Sequence, residues 1–348
     1  MKTRIGDIGV LLLFCVLMRT SSVAANAQSM HHFVFYGMDR EKIHSETFLR
    51  TSAFEGAQLK YSWKELEPEK DAYEFGAIRK DLEFLRSHGK KLFVQLQDST
   101  FDEKHIFVPK YLLEDPQYHG GADRQYELAG KNEEKSVPAG WVARRWDPAV
   151  QARFYRLLQA LGKEFDVKIE GINLPETAVE FGETGRLFPK GFTPAKYRDA
   201  ILTQIKALKS AFPKSVTLQY ANFMPGEWLP ESDKGYLKSI FATAKGLKVG
   251  TAGPDMLPWK PGQMKHSYPL IRAIDGLVPT GIAVQEGNYS AKNPKTGKPV
   301  TLSELYDFAR DYLKVQYVFW CDEEPYFSKG VIPYLEKYEK LAPARKTN

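Results

Sequence analysis

Eight short runs of apolar and β-branched residues punctuate the chain. Between them, apolar residues return at the three-and-four spacing of an amphipathic helix. The runs are Phe33–Met38, Ala57–Trp63, Lys91–Gln97, Gly171–Glu176, Val216–Tyr220, Leu247–Gly250, Gly281–Glu286 and Val315–Trp320. Helical stripes follow several of them. Phe75, Ile78, Leu82 and Leu85 form one, stopped by Gly89. Phe154, Leu157, Leu158, Leu161 and Phe165 form another behind the cap Asp147-Pro148. Tyr197, Ile201, Ile205, Leu208 and Phe212 form a third behind Thr193-Pro194. Strand–helix alternation repeated eight times predicts parallel strands with helices outside, a (β/α)8 TIM barrel forming a single domain over 28–348. A doubly wound open sheet is the rival, weakened by the lack of a Gly-rich phosphate turn after the first strand. The polar connection from Ser99 to Arg145 is too long for a passive linker and reads as a lid or binding loop.

Two of the runs share a frame. Gly171-Ile172-Asn173-Leu174-Pro175-Glu176 and Gly281-Ile282-Ala283-Val284-Gln285-Glu286 each begin with Gly-Ile and end in glutamate. Strand periodicity puts Ile172, Leu174 and Glu176 on one face, and Ile282, Val284 and Glu286 on one face. In a barrel, each glutamate then arrives at the C-terminal rim where active sites form, after strands four and seven. Gln97 and Asp98 end strand three, Tyr220 and Asn222 end strand five, Asp255 follows strand six and Trp320 ends strand eight. Acids, amides and aromatic faces converging on one rim suit a sugar: amides and acids bond hydroxyls, and Trp or Tyr faces stack on pyranose rings.

The composition, 43% hydrophobic and 26% charged, is that of a globular protein. The first 27 residues are expected to be a signal peptide: Lys2 and Arg4, an apolar run from Val10 to Met18, and Ala25-Asn26-Ala27 as a cleavage site. Export to the periplasm or the extracellular space follows from that reading. Without the leader the net charge is +4 and the basic residues are dispersed, so nucleic acid is not an expected partner. No later stretch is long and apolar enough to span a membrane. The histidines and cysteines show no metal-ligand spacing, so neither a metal nor a cofactor is expected. Asn288-Tyr289-Ser290 matches a glycosylation sequon but would crowd Glu286.

The chain resembles the clan A glycoside hydrolases, whose (β/α)8 barrels carry an acid/base glutamate after strand four and a nucleophile glutamate after strand seven. The resemblance is carried by Tyr61-Ser62-Trp63-Lys64-Glu65-Leu66-Glu67-Pro68 with Tyr73 and Phe75, by Gly89-Lys90-Lys91-Leu92-Phe93-Val94-Gln95, by the two glutamate strands and by Phe319-Trp320. It implies a retaining hydrolase of β-glycosidic bonds in an oligo- or polysaccharide, with Glu176 as general acid and then base, and Glu286 as nucleophile. Trp320 would floor the site. Asp98, Tyr220, Asn222, Asp255, Gln97, Trp63 and Trp141 are the further candidates for contact with the carbohydrate. The sequence departs from the family in one place: the asparagine expected directly before the acid is Pro175. That departure favours the alternative, a non-catalytic carbohydrate-binding or degenerate barrel.

Overall fold

A computed structural model describes residues 30–129 and 132–341. The expected signal peptide lies outside these residues. Eight parallel strands close into a barrel: β1 (His31–Gly37), β2 (Gly56–Ser62), β3 (Lys91–Gln97), β4 (Gly171–Leu174), β5 (Val216–Tyr220), β6 (Gly250–Gly253), β7 (Thr280–Val284) and β8 (Tyr317–Cys321). Each strand pairs with its sequence neighbour, and β1 pairs with β8 to complete the ring. The single-domain TIM barrel expected from the alternation is the observed fold.

The caps read from the sequence work locally. Asp147 accepts from the backbone N–H groups of Ala149 and Val150 at the start of helix Pro148–Phe165. Thr193 accepts from Lys196 N–H at the start of Pro194–Ala211. One strand is displaced from expectation. The sixth forms at Gly250–Gly253 rather than Leu247–Gly250, because Lys248 takes a left-handed conformation (φ 56°) and ends the helical turn there.

Both faces of every barrel strand are covered, which fixes the environment of each side chain. Phe33, Phe93, Leu218, Tyr220, Ala283 and Phe319 pack together as a separate inner cluster. Ile172, Leu174, Ile282, Val284, Val318 and Trp320 belong instead to the larger cluster shared with the helices. Gly171 leaves room inside: a Cβ there would stand 2.6 Å from the Phe93 ring. The Ser99–Arg145 connection is an ordered excursion. It carries a three-stranded antiparallel sheet of Ser99–Thr100, Ala122–Ala129 and Asn132–Ala143, with Asn132–Ala143 in the middle.

Candidate active site

β4 ends at Leu174, and the four residues after it are held by side chains from three directions. Gln219 donates to the Pro175 carbonyl (2.7 Å), Arg145 to the Glu176 carbonyl (3.0 Å) and the Tyr197 hydroxyl to the Thr177 carbonyl (3.1 Å). Asn222 Oδ1 accepts from Ala178 N–H at 3.2 Å. Arg145 is itself buried and gripped by Asp98, through Nε to Oδ2 at 2.9 Å and Nη2 to Oδ1 at 2.6 Å, and it also donates to the Tyr197 hydroxyl. The backbone that carries Glu176 is therefore fixed although it belongs to no regular element.

Glu176 opens into a cavity of about 920 Å³ at the C-terminal mouth of the barrel. Lys60 from β2, Gln95 and Gln97 from β3, Tyr220 from β5, Asn222, Asp255 and Gln285 line it, with Phe101 and His105 from the excursion. Asn222 Nδ2 donates to Glu176 Oε2. Burial pushes the Glu176 carboxyl up to about 7; the Asn222 hydrogen bond opposes the rise, and the charge of Asp255 adds to it. Burial also raises Asp255, against the Asn288 amide and the charge of Lys260. Gln95 is 2% exposed, and its Oε1 has no protein partner among the described residues. The cavity thus offers one carboxyl that keeps its proton near neutrality, a second beside it, and amides free to bond hydroxyls.

Of the expected site residues, Glu176, Gln97, Tyr220, Asn222 and Asp255 line this cavity. Glu286 does not. It is exposed in the turn after β7 and lines a neighbouring cleft of about 610 Å³ with Asp39, Asp322 and Glu323. The face it shares with Ile282 and Val284 is the helix face, and the interior phase of β7 runs through Ala283 to Gln285. Trp320 is displaced for the same reason: it is fully buried in the helix-side core, and its Nε1 donates to His32 Nδ1 (3.1 Å). Trp63 is also core, bonded to Glu67 (2.8 Å) and edge-on to Phe154. Trp141 is tied within the excursion, donating to the Glu103 carbonyl (2.9 Å) under the Arg124 guanidinium. Asp98 lies beneath the site as the counter-ion of Arg145.

Sequence reasoning missed Lys60, Gln285 and Arg145. Only Gln285 left a signal, as the partner of Glu286 in the opposite strand phase. The sequon asparagine is buried and structural: Asn288 Oδ1 accepts from Met256 N–H (3.0 Å) and Gln285 N–H (2.9 Å), joining the turns after β6 and β7. Among the described residues, no group of three or more His, Cys, Asp or Glu side chains is placed to hold a metal ion, and no helix is long and apolar enough to cross a membrane.

A closed eight-stranded parallel barrel with its polar cavity at the C-terminal mouth is a (β/α)8 barrel. Solved structures of that fold resemble it at low identity. A polyextremophilic β-galactosidase from the Antarctic haloarchaeon Halorubrum lacusprofundi aligns with a TM-score of 0.51 at 13% identity, over 84% of this chain and 52% of its own. The chain thus spans about half the length of that enzyme. GH5_18 from Streptomyces cattleya in complex with Manb1-4GlcNAc aligns at 0.53 and 12% identity, over 91% of this chain and 82% of its own. GH5_18 from the same organism in complex with GlcNAc aligns at 0.50 and 13% identity, over 84% and 70%. No family model and no curated protein matches the sequence.

Proposed function

We propose that the chain is an exported glycosidase acting on β-glycosidic bonds of an oligo- or polysaccharide, with Glu176 as general acid and Asp255 as its ionised partner. The observation that carries the reading is the pair of carboxyls lining one cavity, with the proton of Glu176 held near neutrality by burial and by the charge of Asp255. The charge of Asp255 helps Glu176 hold a proton at neutral pH.

The retaining course then runs in two steps. Glu176 gives its proton to the leaving oxygen as the bond to the anomeric carbon breaks, and the Asp255 carboxylate attacks that carbon to form a glycosyl ester. Glu176, now ionised, takes a proton from water, which attacks the same carbon and releases Asp255. Lys60, Gln95, Gln97 and Gln285 surround the sugar and bond its hydroxyls.

The test is hydrolysis of a panel of aryl β-glycosides and β-linked oligosaccharides by the wild type and by Glu176→Gln, Asp255→Asn and Glu286→Ala. Glu176→Gln is expected to lower kcat by ~10²–10⁴, and Asp255→Asn to abolish turnover, while Glu286→Ala keeps it. Loss of turnover in Glu286→Ala with activity retained in Asp255→Asn would return the nucleophile role to Glu286. The anomer first released distinguishes direct attack by Asp255 (retention) from attack by water with Asp255 as base (inversion). A second reading, a carbohydrate-binding barrel without turnover, is favoured by Gln285 in the inward position of β7. Sugar binding without hydrolysis of any substrate in the panel would establish it.

A further inference from the structure

Beside the cavity that holds Glu176 lies a smaller cleft of about 210 Å³. Ala178, Glu180 and Phe223 line both spaces, so the two adjoin along the segment that follows Glu176 and at Phe223, next to Asn222. The small cleft is walled by Phe223 and Trp228, whose rings are parallel within 2° at a centroid distance of 5.8 Å. Trp228 is 48% exposed, one of the few large apolar side chains at the surface among the described residues.

That exposure is built into a rigid frame. The Glu227 carboxylate accepts from the backbone N–H groups of Lys234 (2.9 Å), Tyr236 (2.7 Å) and Leu237 (2.9 Å), closing the loop around the tryptophan. His266 Nε2 accepts from Leu229 N–H (2.8 Å), which leaves Nδ1 to donate to the Gly262 carbonyl (2.8 Å). The ring of His266 backs both Trp228 (4.5 Å) and Phe223 (4.9 Å). An indole held this firmly and about half exposed is a preformed apolar surface rather than a frayed side chain. Glu180 and Glu183 also line the cleft and give it acceptors for hydroxyls. An aromatic wall with polar groups beside it matches a pyranose, which has an apolar C–H face and a hydroxyl edge.

We propose that Phe223 and Trp228 form the platform for the sugar unit on the leaving-group side of the bond, so that the chain acts on linkages inside an oligosaccharide. The proposal rests on the glycosidase reading only for its direction: the general acid stands beside the leaving oxygen, and the platform adjoins the segment that follows that acid. An aglycone that is itself a sugar then gains stacking that a small aryl group does not.

The experiment separates platform from catalysis by measuring binding in a chain that does not turn over. In a Glu176→Gln background, dissociation constants for cellotetraose, xylotetraose, mannotetraose and chitotetraose are measured by calorimetry, with and without Trp228→Ala or Trp228→Tyr. Expected is a loss of about tenfold in affinity for the bound tetraose in Trp228→Ala, largely restored in Trp228→Tyr. With the catalytic chain, Trp228→Ala lowers kcat/KM more for that tetraose than for the aryl glycoside of its sugar. Unchanged tetraose affinity in Trp228→Ala overturns the platform, and so does a wild-type chain that hydrolyses aryl glycosides yet binds none of the four. Weakened binding in a chain that hydrolyses nothing upholds the platform and removes the glycosidase reading instead.

Discussion

At the residue scale, the chemistry turns on how Glu176 keeps a proton. Desolvation favours the neutral acid, and Asp255 reinforces it. Asn222, Arg145 and Lys60 each favour the ionised form. The balance near 7 makes the descending limb of kcat/KM fall with the loss of the Glu176 proton, about tenfold per pH unit above that value. Asn222→Ala removes the hydrogen bond that stabilises the carboxylate. The sign is therefore fixed: the Glu176 pKa rises, and the descending limb moves to higher pH. A pH–rate profile on an aryl glycoside reads the shift directly. A limb that stays where it was in the wild type would mean that another group carries the proton.

At the element scale, the strands were legible and their phase was not. A parallel barrel strand is apolar on both faces, so alternation identifies two sets of side chains without saying which enters the barrel. β7 and β8 show the cost of that ambiguity: Gln285 and Phe319 hold the inner phase, where the pattern of the sequence pointed to Glu286 and Trp320. Glu176 reaches the cavity because β4 stops at Leu174 and the alternation does not carry through Pro175. Arg145 was invisible for a different reason, since its partners come from positions 47, 31 and 52 residues away. It ties the excursion to the acid, and that coupling is separable from stability. Asp98→Ala leaves a buried guanidinium without its counter-ion and is expected to cost about 3–5 kcal/mol in urea unfolding. The double variant Asp98→Leu, Arg145→Met removes both charges and should recover most of that loss. It still releases the Glu176 carbonyl, so kcat stays low although the fold is restored. Recovery of activity together with stability would reduce the pair to a structural role.

At the scale of the whole molecule, holding Glu176 neutral in a desolvated mouth is an expense of folding that depends on pH. The carboxyl titrates near 4.5 in the unfolded chain and near 7 in the folded one. Below 4.5 both states are protonated and nothing is lost. Between these values the unfolded chain ionises while the folded chain cannot, so stability falls by up to about 1.4 kcal/mol per pH unit and levels off above 7. Glutamine is isosteric, accepts the same Asn222 hydrogen bond and has no proton to lose. Glu176→Gln should therefore leave stability unchanged at pH 4 and raise it by roughly 3 kcal/mol at pH 8, measured as urea-unfolding free energies of the two chains at each pH. Titrating groups that do not feel the Glu176 charge are common to both chains and cancel in the difference. A gap that is the same at pH 4 and pH 8 would show that Glu176 ionises freely in the folded barrel, leaving it without the held proton that a general acid requires. A gap that opens between those values ties the loss of stability to the same proton that the reaction uses.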